Sequence, residues 1–281
     1  MKNHDLDLAA KGHRRHEALV MTAKWTLLAL AACILSGCAG DTPSTVPSRS
    51  PAMRASSERP GFGTAWGETR QAWVEPTYFA RAWSDRPSAK DAIYYNDREG
   101  TDAMLDFLGG EPQVKKGAQS MAGGLVRCGL RFGDGRWLDA WESHGKRIAA
   151  GEPGARYEVV VKNETKRRVE IVLSVDGLDA LDGATANFKK RGYVIGPREE
   201  LAVEGFRTSD GTVAAFRFRS VGESYAQRRH GDTTNVGVIG FAVFQERWWG
   251  GEKPDLKNRA WRSSEPKDFP SSRRYAAPPE A

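Results

Sequence analysis

Apolar residues fall on every second position of Val169–Val175 (VEIVLSV), where Val169, Ile171, Leu173 and Val175 alternate with Glu170, Val172 and Ser174. A period of two predicts a strand with one face toward a core. The β-branched run Tyr157–Asn163 (YEVVVKN) precedes it, and the polar stretch Glu164–Arg168 between them predicts a hairpin. Turn residues separate four more predicted strands at Gly192–Ile195, Leu201–Phe206, Val213–Phe218 and Asn235–Phe244. The last, NVGVIGFAVF, is apolar on both faces, as a strand central to two packed sheets should be. Its glycines, Gly237 and Gly240, predict a close backbone approach or a bulge. Six strands at short spacing, with no helix long enough for parallel crossovers, predict a mainly β fold, an antiparallel β-sandwich over 151–246.

The pattern is weaker on either side. GFGTAWGE (Gly61–Glu68) shows no periodicity. Thr101–Leu108 predicts a short helix capped by Thr101 or Asp102, and Trp137–Ile148 predicts another. Residues 61–150 are therefore expected to lay short helical or irregular elements against the sandwich and extend its core. Residues 247–281 carry five prolines, eight basic and five acidic residues and predict an irregular tail. Trp248, Trp249 and Trp261, with Phe269 and Tyr275, stud that tail. Large aromatics dominate burial, so they are expected to pin the tail to the sandwich; beside arginines they are also candidate ligand contacts that could stack on a sugar.

Near the start, the apolar run Trp25–Ser36 is shorter than the roughly 20 residues a bilayer-spanning helix needs. A basic start, a short apolar centre and small residues at the end are the parts of an export signal over 1–37. Residues 1–20 are long and acidic for such a signal, which suggests initiation at Met21, followed closely by Lys24. Leu35-Ser36-Gly37-Cys38 resembles the lipobox of bacterial lipoproteins. The resemblance implies that the Cys38 thiol takes a diacylglyceryl group, that the signal is cut before it, and that the new amino terminus is acylated. It implies membrane anchoring in the cell envelope, and Ala39 in place of an aspartate implies the outer membrane. One acyl chain holds a protein marginally, while two or more anchor it stably. Ala39–Pro60 has four prolines, five serines and no aromatic residue. With Cys38 it forms segment 38–60, a disordered tether with a coil dimension of about 25–30 Å.

A second resemblance is spread over residues 61–246. YYNDREG (Tyr94–Gly100), VDGLDALDG (Val175–Gly183), KRGYVIGP (Lys190–Pro197), EGFRTS (Glu204–Ser209), VAAFRF (Val213–Phe218) and NVGVIGFAVF resemble phrases shared by a group of bacterial exported proteins. This implies a recurring envelope-type β domain; it transfers no catalytic residue.

Composition excludes more than it assigns. The 281 residues are 40% hydrophobic and 28% charged, an ordinary globular balance, and the net charge is +6. A surplus so small and so spread does not mark a nucleic-acid binder. No phosphate-binding glycine motif follows a strand, so no nucleotide cofactor is expected. After Cys38, only Cys128, His144 and His230 remain as soft ligands, too few and too scattered to nucleate a zinc site.

The remaining candidates each have an ordinary alternative. Asp176, Asp179 and Asp182 precede Gly183 and could offer calcium an oxygen-rich loop. Their spacing is not that of an EF-hand, and Asp and Gly also cluster wherever a strand ends and turns. Lys189, Lys190, Arg191 and Arg207 could bind an anion, or simply face solvent. Ser224, His230 and Asp232 lie close in sequence without a nucleophile elbow, and predict a surface loop with one helical turn. Asp134, Asp139 and Glu142 beside Trp137 and Trp141 are the carboxylates from which a wall-polymer hydrolase would draw its acid and base. The sequence therefore points to a lipid-anchored, non-catalytic envelope protein that binds a protein or glycan, with an envelope hydrolase as the alternative.

Overall fold

In the computed structural model, residues 59–247 and 275–279 are described. Cys38, the tether up to residue 58, and Trp248, Trp249 and Trp261 lie outside them. In chain order the elements are β1 (Phe62–Gln71), β2 (Ala89–Asn96), α1 (Arg98–Leu108), β3 (Gln113–Lys115), β4 (Gln119–Met121), β5 (Val126–Phe132), β6 (Asp139–Ser143), β7 (Lys146–Ala150) and β8 (Arg156–Asn163). There follow β9 (Val169–Val175), β10 (Leu178–Asp179), β11 (Tyr193–Ile195), β12 (Glu200–Val203), β13 (Gly205–Arg207), β14 (Thr212–Ser220), α2 (Tyr225–His230) and β15 (Val238–Gln245).

The strands form two sheets. One runs β1-β14-β8-β5-β4, with β12 on β8 and β13 on β14; the other runs β10-β9-β15-β2-β7-β6-β3, with β11 on β9. A single apolar core fills the space between them, drawing Val159, Val161, Phe216 and Phe218 from the first sheet and Ile93, Ile171, Leu173 and Ile239 from the second. The mainly β sandwich is therefore as expected. Among the described residues all strand pairings are antiparallel except β2 with β7. The long connection through α1 and β3–β6 provides the crossover that a parallel pair requires.

Three expectations need correction. The runs at 157–163 and 169–175 are strands, but they do not form a hairpin: β8 pairs with β5, β12 and β14, whereas β9 pairs with β15, β10 and β11 in the other sheet. The buried Asn163 shapes the corner between them. Its Nδ2 donates to the carbonyls of Arg167, Ile195 and Gly196, and its Oδ1 accepts from the Thr165 N–H. Second, Trp137–Ile148 is not a helix but the hairpin β6–β7, turning at His144-Gly145, both at positive φ. Third, residues 61–150 do more than pack on the sandwich. β1 pairs along its length with β14, and β2 lies between β15 and β7 inside the second sheet. β1 escaped the periodicity test because Gly63 and Gly67 stand where a side chain could not: a Cβ on Gly67 would meet the Ala215 carbonyl oxygen at 2.6 Å.

The outer face of the second sheet is covered as well. Phe79, from the β1–β2 connection, packs on Val172, Ala242 and Phe244. This third layer explains why β9 is buried on both sides and why β15, paired with both β2 and β9, is apolar from Val238 to Phe244. The predicted helix is α1, one turn longer than expected. Its N-cap is Asp97, whose side chain accepts from the Gly100 N–H, and it ends on Gly109 at φ 70°.

Candidate functional site

An open groove of about 540 Å³ lies where α1 leaves the second sheet. Its formation follows from the helix pattern. Thr101 and Leu105 are buried, with the Thr101 Oγ1 donating to the Ala149 carbonyl on β7, and this holds one stripe of α1 on the sheet. Met104, Phe107 and Leu108 occupy the next stripe and line the groove with Tyr94 of β2. Phe107 is 90% exposed. Polar groups gather at the margins: Glu99 lies at the helix start, and the Lys146 ammonium sits 5.4 Å from the Tyr94 ring centroid. Asn96 closes the end near Pro60 and Gly61, its Oδ1 accepting from the Phe62 and Asp97 N–H groups. An apolar trough with few polar groups at its rim suits a ligand that buries an apolar face.

A buried polar network bridges the two sheets. Thr64 of β1 and Tyr157 of β8 meet Tyr95 of β2 and Asp176 at the end of β9, across the gap between the sheets. The Thr64 hydroxyl is 2.6 Å from both tyrosine hydroxyls, and Tyr95 donates to Asp176 at 2.6 Å. Asp176 also accepts from the N–H groups of Thr64 at 2.7 Å and Gly237 at 2.9 Å. Burial pushes its carboxyl up to about 6, with these donors working against the shift. The positive φ of Gly237 turns its N–H toward this carboxylate, which is the close approach expected there; a Cβ on Gly240 would make only ordinary contact with Ser174, at 3.9 Å.

The loop expected either to turn or to hold calcium turns, and its central cation is a lysine. The Lys190 ammonium donates to Asp182 Oδ1 at 2.6 Å and to the Ala184 carbonyl at 3.3 Å, with both side chains of the pair 8% exposed. Asp179 Oδ1 accepts from the Leu181 and Asp182 N–H groups. Among the described residues no group of three or more metal-ligating side chains is placed to hold an ion. Lys190 is thus not on a solvent face as its alternation suggested, and neither is Arg207. The Arg207 guanidinium clamps the carbonyls of Ala72, Ser209 and Asp210.

Burial pushes the Asp179 carboxyl up to about 7, opposed by the charge of Lys190 and reinforced by that of Asp182. An unfolded aspartic acid titrates near ~3.9, so between that value and about 7 the folded chain holds a proton that the unfolded chain has released. Stability from this site is therefore present at pH 4 and lost as pH rises to 7. Asp179→Asn keeps the accepting oxygen and removes the buried charge. It should raise the unfolding free energy at pH 8 by an amount on the order of a few kcal/mol, and with it the melting temperature, and leave both nearly unchanged at pH 4. Equal shifts at both pH values would contradict this.

The candidate hydrolase carboxylates are not brought together. Asp134 and Asp139 are exposed, Asp134 pairing with Arg136 at 2.8 Å and Asp139 lying 3.8 Å from Arg98. Glu142 pairs with Lys115 at 3.2 Å and, three residues from Asp139 on one strand, points to the opposite face. The Arg136 guanidinium and backbone N–H hold the Asp134 carboxyl below the usual range, the reverse of what a general acid needs. Ser224, His230 and Asp232 likewise do not converge. Ser224 is buried and caps α2 through the Gln227 N–H, His230 Nε2 meets the Gly183 carbonyl at 2.9 Å, and Asp232 accepts from Thr234 N–H. Cys128 is fully buried on β5, and burial pushes its thiol up to about 12, so it holds no thiolate at neutral pH.

The groove was not found from sequence, although one signal was present: Met104, Phe107 and Leu108 form an i, i+3, i+4 stripe on a helix whose other stripe is buried. No protein-family model matches this chain, and no curated protein or solved structure matches it.

Proposed function

We propose that the chain is a lipid-anchored protein of the cell envelope whose sandwich is a non-catalytic binding module, with the groove beside α1 as its binding site. The carrying observation is that groove, whose floor of Tyr94, Met104 and Leu108 is edged by a nearly fully exposed Phe107. Isolated exposed aromatics are ordinary, but one that borders a concave apolar trough is placed to be covered by a ligand. The lipobox-like LSGC at 35–38 supports the anchor, and the acylated Cys38 gives the membrane as one partner. The proline- and serine-rich tether would let the domain stand off the bilayer. The ligand is an envelope protein or glycan with an apolar face.

Two measurements test this. Cys38→Ser should abolish acylation and move the protein from the membrane to the soluble fraction; unchanged partition into a detergent phase would refute the anchor. Phe107→Asp, an exposed change expected to leave the melting temperature within about 2 °C, should reduce recovery of envelope proteins or wall glycan in a pull-down at least tenfold. Equal recovery by both proteins would remove the groove from the proposal. Cleavage of wall polymer that is lost on replacing Asp139 or Glu142 would favour the hydrolase instead.

A further inference from the structure

A second surface, independent of the groove, already holds a peptide. That peptide is part of the tail, residues 275–279, which 27 residues separate from Arg247. Tyr275, one of the aromatics expected to pin the tail, donates from its hydroxyl to Asp210. Ala276 is buried, and its N–H donates to the Arg207 carbonyl at 2.8 Å. The Tyr225 hydroxyl donates to the Ala277 carbonyl at 2.5 Å. This part of the tail carries no helix or strand, as expected, yet it is docked on the fold. Three pieces of the fold receive it. β13 pairs with β14 along one edge; on the other, Arg207 N–H donates to the Ala180 carbonyl, and the Arg207 carbonyl takes the Ala276 N–H. Tyr225, the first residue of α2, is 1% exposed and packs on Trp66 and Phe206 with ring centroids 5.0 and 4.7 Å away, which fixes the direction of its hydroxyl. Gly183 faces it at φ 66°: a Cβ there would lie 2.7 Å from the Tyr225 hydroxyl and 2.8 Å from the Ala276 Cβ. The notch between Gly183 and Tyr225 thus admits a methyl group and little more.

We infer that this surface is a recognition site for a short peptide of the form Tyr-Ala-Ala-Pro-Pro, and that residues 275–279 are its resident ligand, able to leave without unfolding the sheets. Three arguments carry this. The contacts are those by which a sheet edge takes a peptide: a main-chain hydrogen bond to an edge strand, a pocket for one small side chain, and a side-chain clamp on the next carbonyl. The sequence also prepares the peptide for binding. Pro278 disfavours helical backbone at Ala277, and Pro279 does the same to Pro278, so little conformational freedom is lost on docking. Finally, the segment adds no strand to either sheet, and of its five residues only Ala276 is buried. Release therefore uncovers little apolar surface, which is what a locally opening element requires.

The test uses the full-length protein and a fluorescein-labelled peptide matching residues 274–281, RYAAPPEA. Ala276→Asp puts a charge into the notch and should release the resident segment. The labelled peptide should then bind this variant at least tenfold more tightly than the unaltered protein, whose site is filled. Saturating peptide should also recover at least half of the melting temperature that Ala276→Asp loses, because a ligand of the folded state stabilises it. A peptide that itself bears Ala276→Asp should do neither. If the variant does not fold, amide exchange in the unaltered protein decides: the Ala276 N–H should exchange at least a hundredfold faster than the Phe216 N–H of β14, through local release. Absence of peptide binding by a folded Ala276→Asp protein would overturn the proposal. So would equal exchange of Ala276 and Phe216, since the segment would then be a fixed part of the core. A dimer in sedimentation that Ala276→Asp dissociates would overturn it as well, since the ligand would then be the tail of a second copy.

Discussion

Arg81→Ala is expected to destabilise the protein by about 3–5 kcal/mol, among the largest single effects the fold can show. Arg81 Nε donates to Glu170 Oε2 at 2.5 Å, with the two side chains 4% and 1% exposed. The guanidinium lies 3.6 Å from the Phe244 ring centroid and donates to the carbonyls of Ser84, Phe188 and Lys190. Glu170 uses its other oxygen to accept from Gly192 N–H at 2.8 Å, which ties β11 to β9. Truncation leaves a carboxylate without its cation in a dry layer and three carbonyls without a donor. Urea titration would measure it. The Arg81→Ala and Glu170→Ala double variant should cost clearly less than the sum of the single changes, because no buried charge is then left alone. Additive costs would mean that the two groups do not depend on one another.

Asp176→Ala is expected to cost about 3–5 kcal/mol, for a different reason. It strands two buried donors, the Thr64 and Gly237 N–H groups, and leaves the Tyr95 hydroxyl only the Thr64 hydroxyl as a partner. Each buried unsatisfied donor costs about 1–3 kcal/mol. Asp176 sits at φ 54°, a region that aspartate and asparagine tolerate and alanine does not favour. Asp176→Asn should therefore retain more than half of the stability that alanine loses. Thermal unfolding of the two variants side by side checks this, and equal losses would show that the network needs both carboxylate oxygens and that backbone conformation does not set the cost.

The strand positions were legible because β-branched runs broken by turn residues leave little choice of element. Val169–Val175 and Asn235–Phe244 are the clearest cases, and β14 carries Phe216 and Phe218 inward with Arg217 and Arg219 outward, as pleating requires. Partner choice was not legible. Nothing in YEVVVKN and VEIVLSV distinguishes a hairpin from a corner between sheets; the buried side chain of Asn163 is what shapes that corner, and an asparagine in a turn usually means something more local. Trp137–Ile148 misled because its apolar spacing suits a helix, while the turn at His144-Gly145 is a hairpin signal of only two residues. The charged positions misled for one common reason. Lys190 and Arg207 were read as binding an anion or facing solvent, yet each is covered by the 72–84 connection or by a neighbouring turn, and alternation in sequence cannot reveal a third layer.

The pairing of β1 with β14 and of β2 with β15 joins the beginning of the folded region to its end. During synthesis, which proceeds from the amino terminus, neither sheet can be completed until the last strands have emerged from the ribosome. β1 thus waits for β14, and one edge of β2 for β15, through most of translation, and a topology so rich in distant contacts predicts slow folding once the chain is whole. Such a chain stays open for longer than one built from adjacent hairpins.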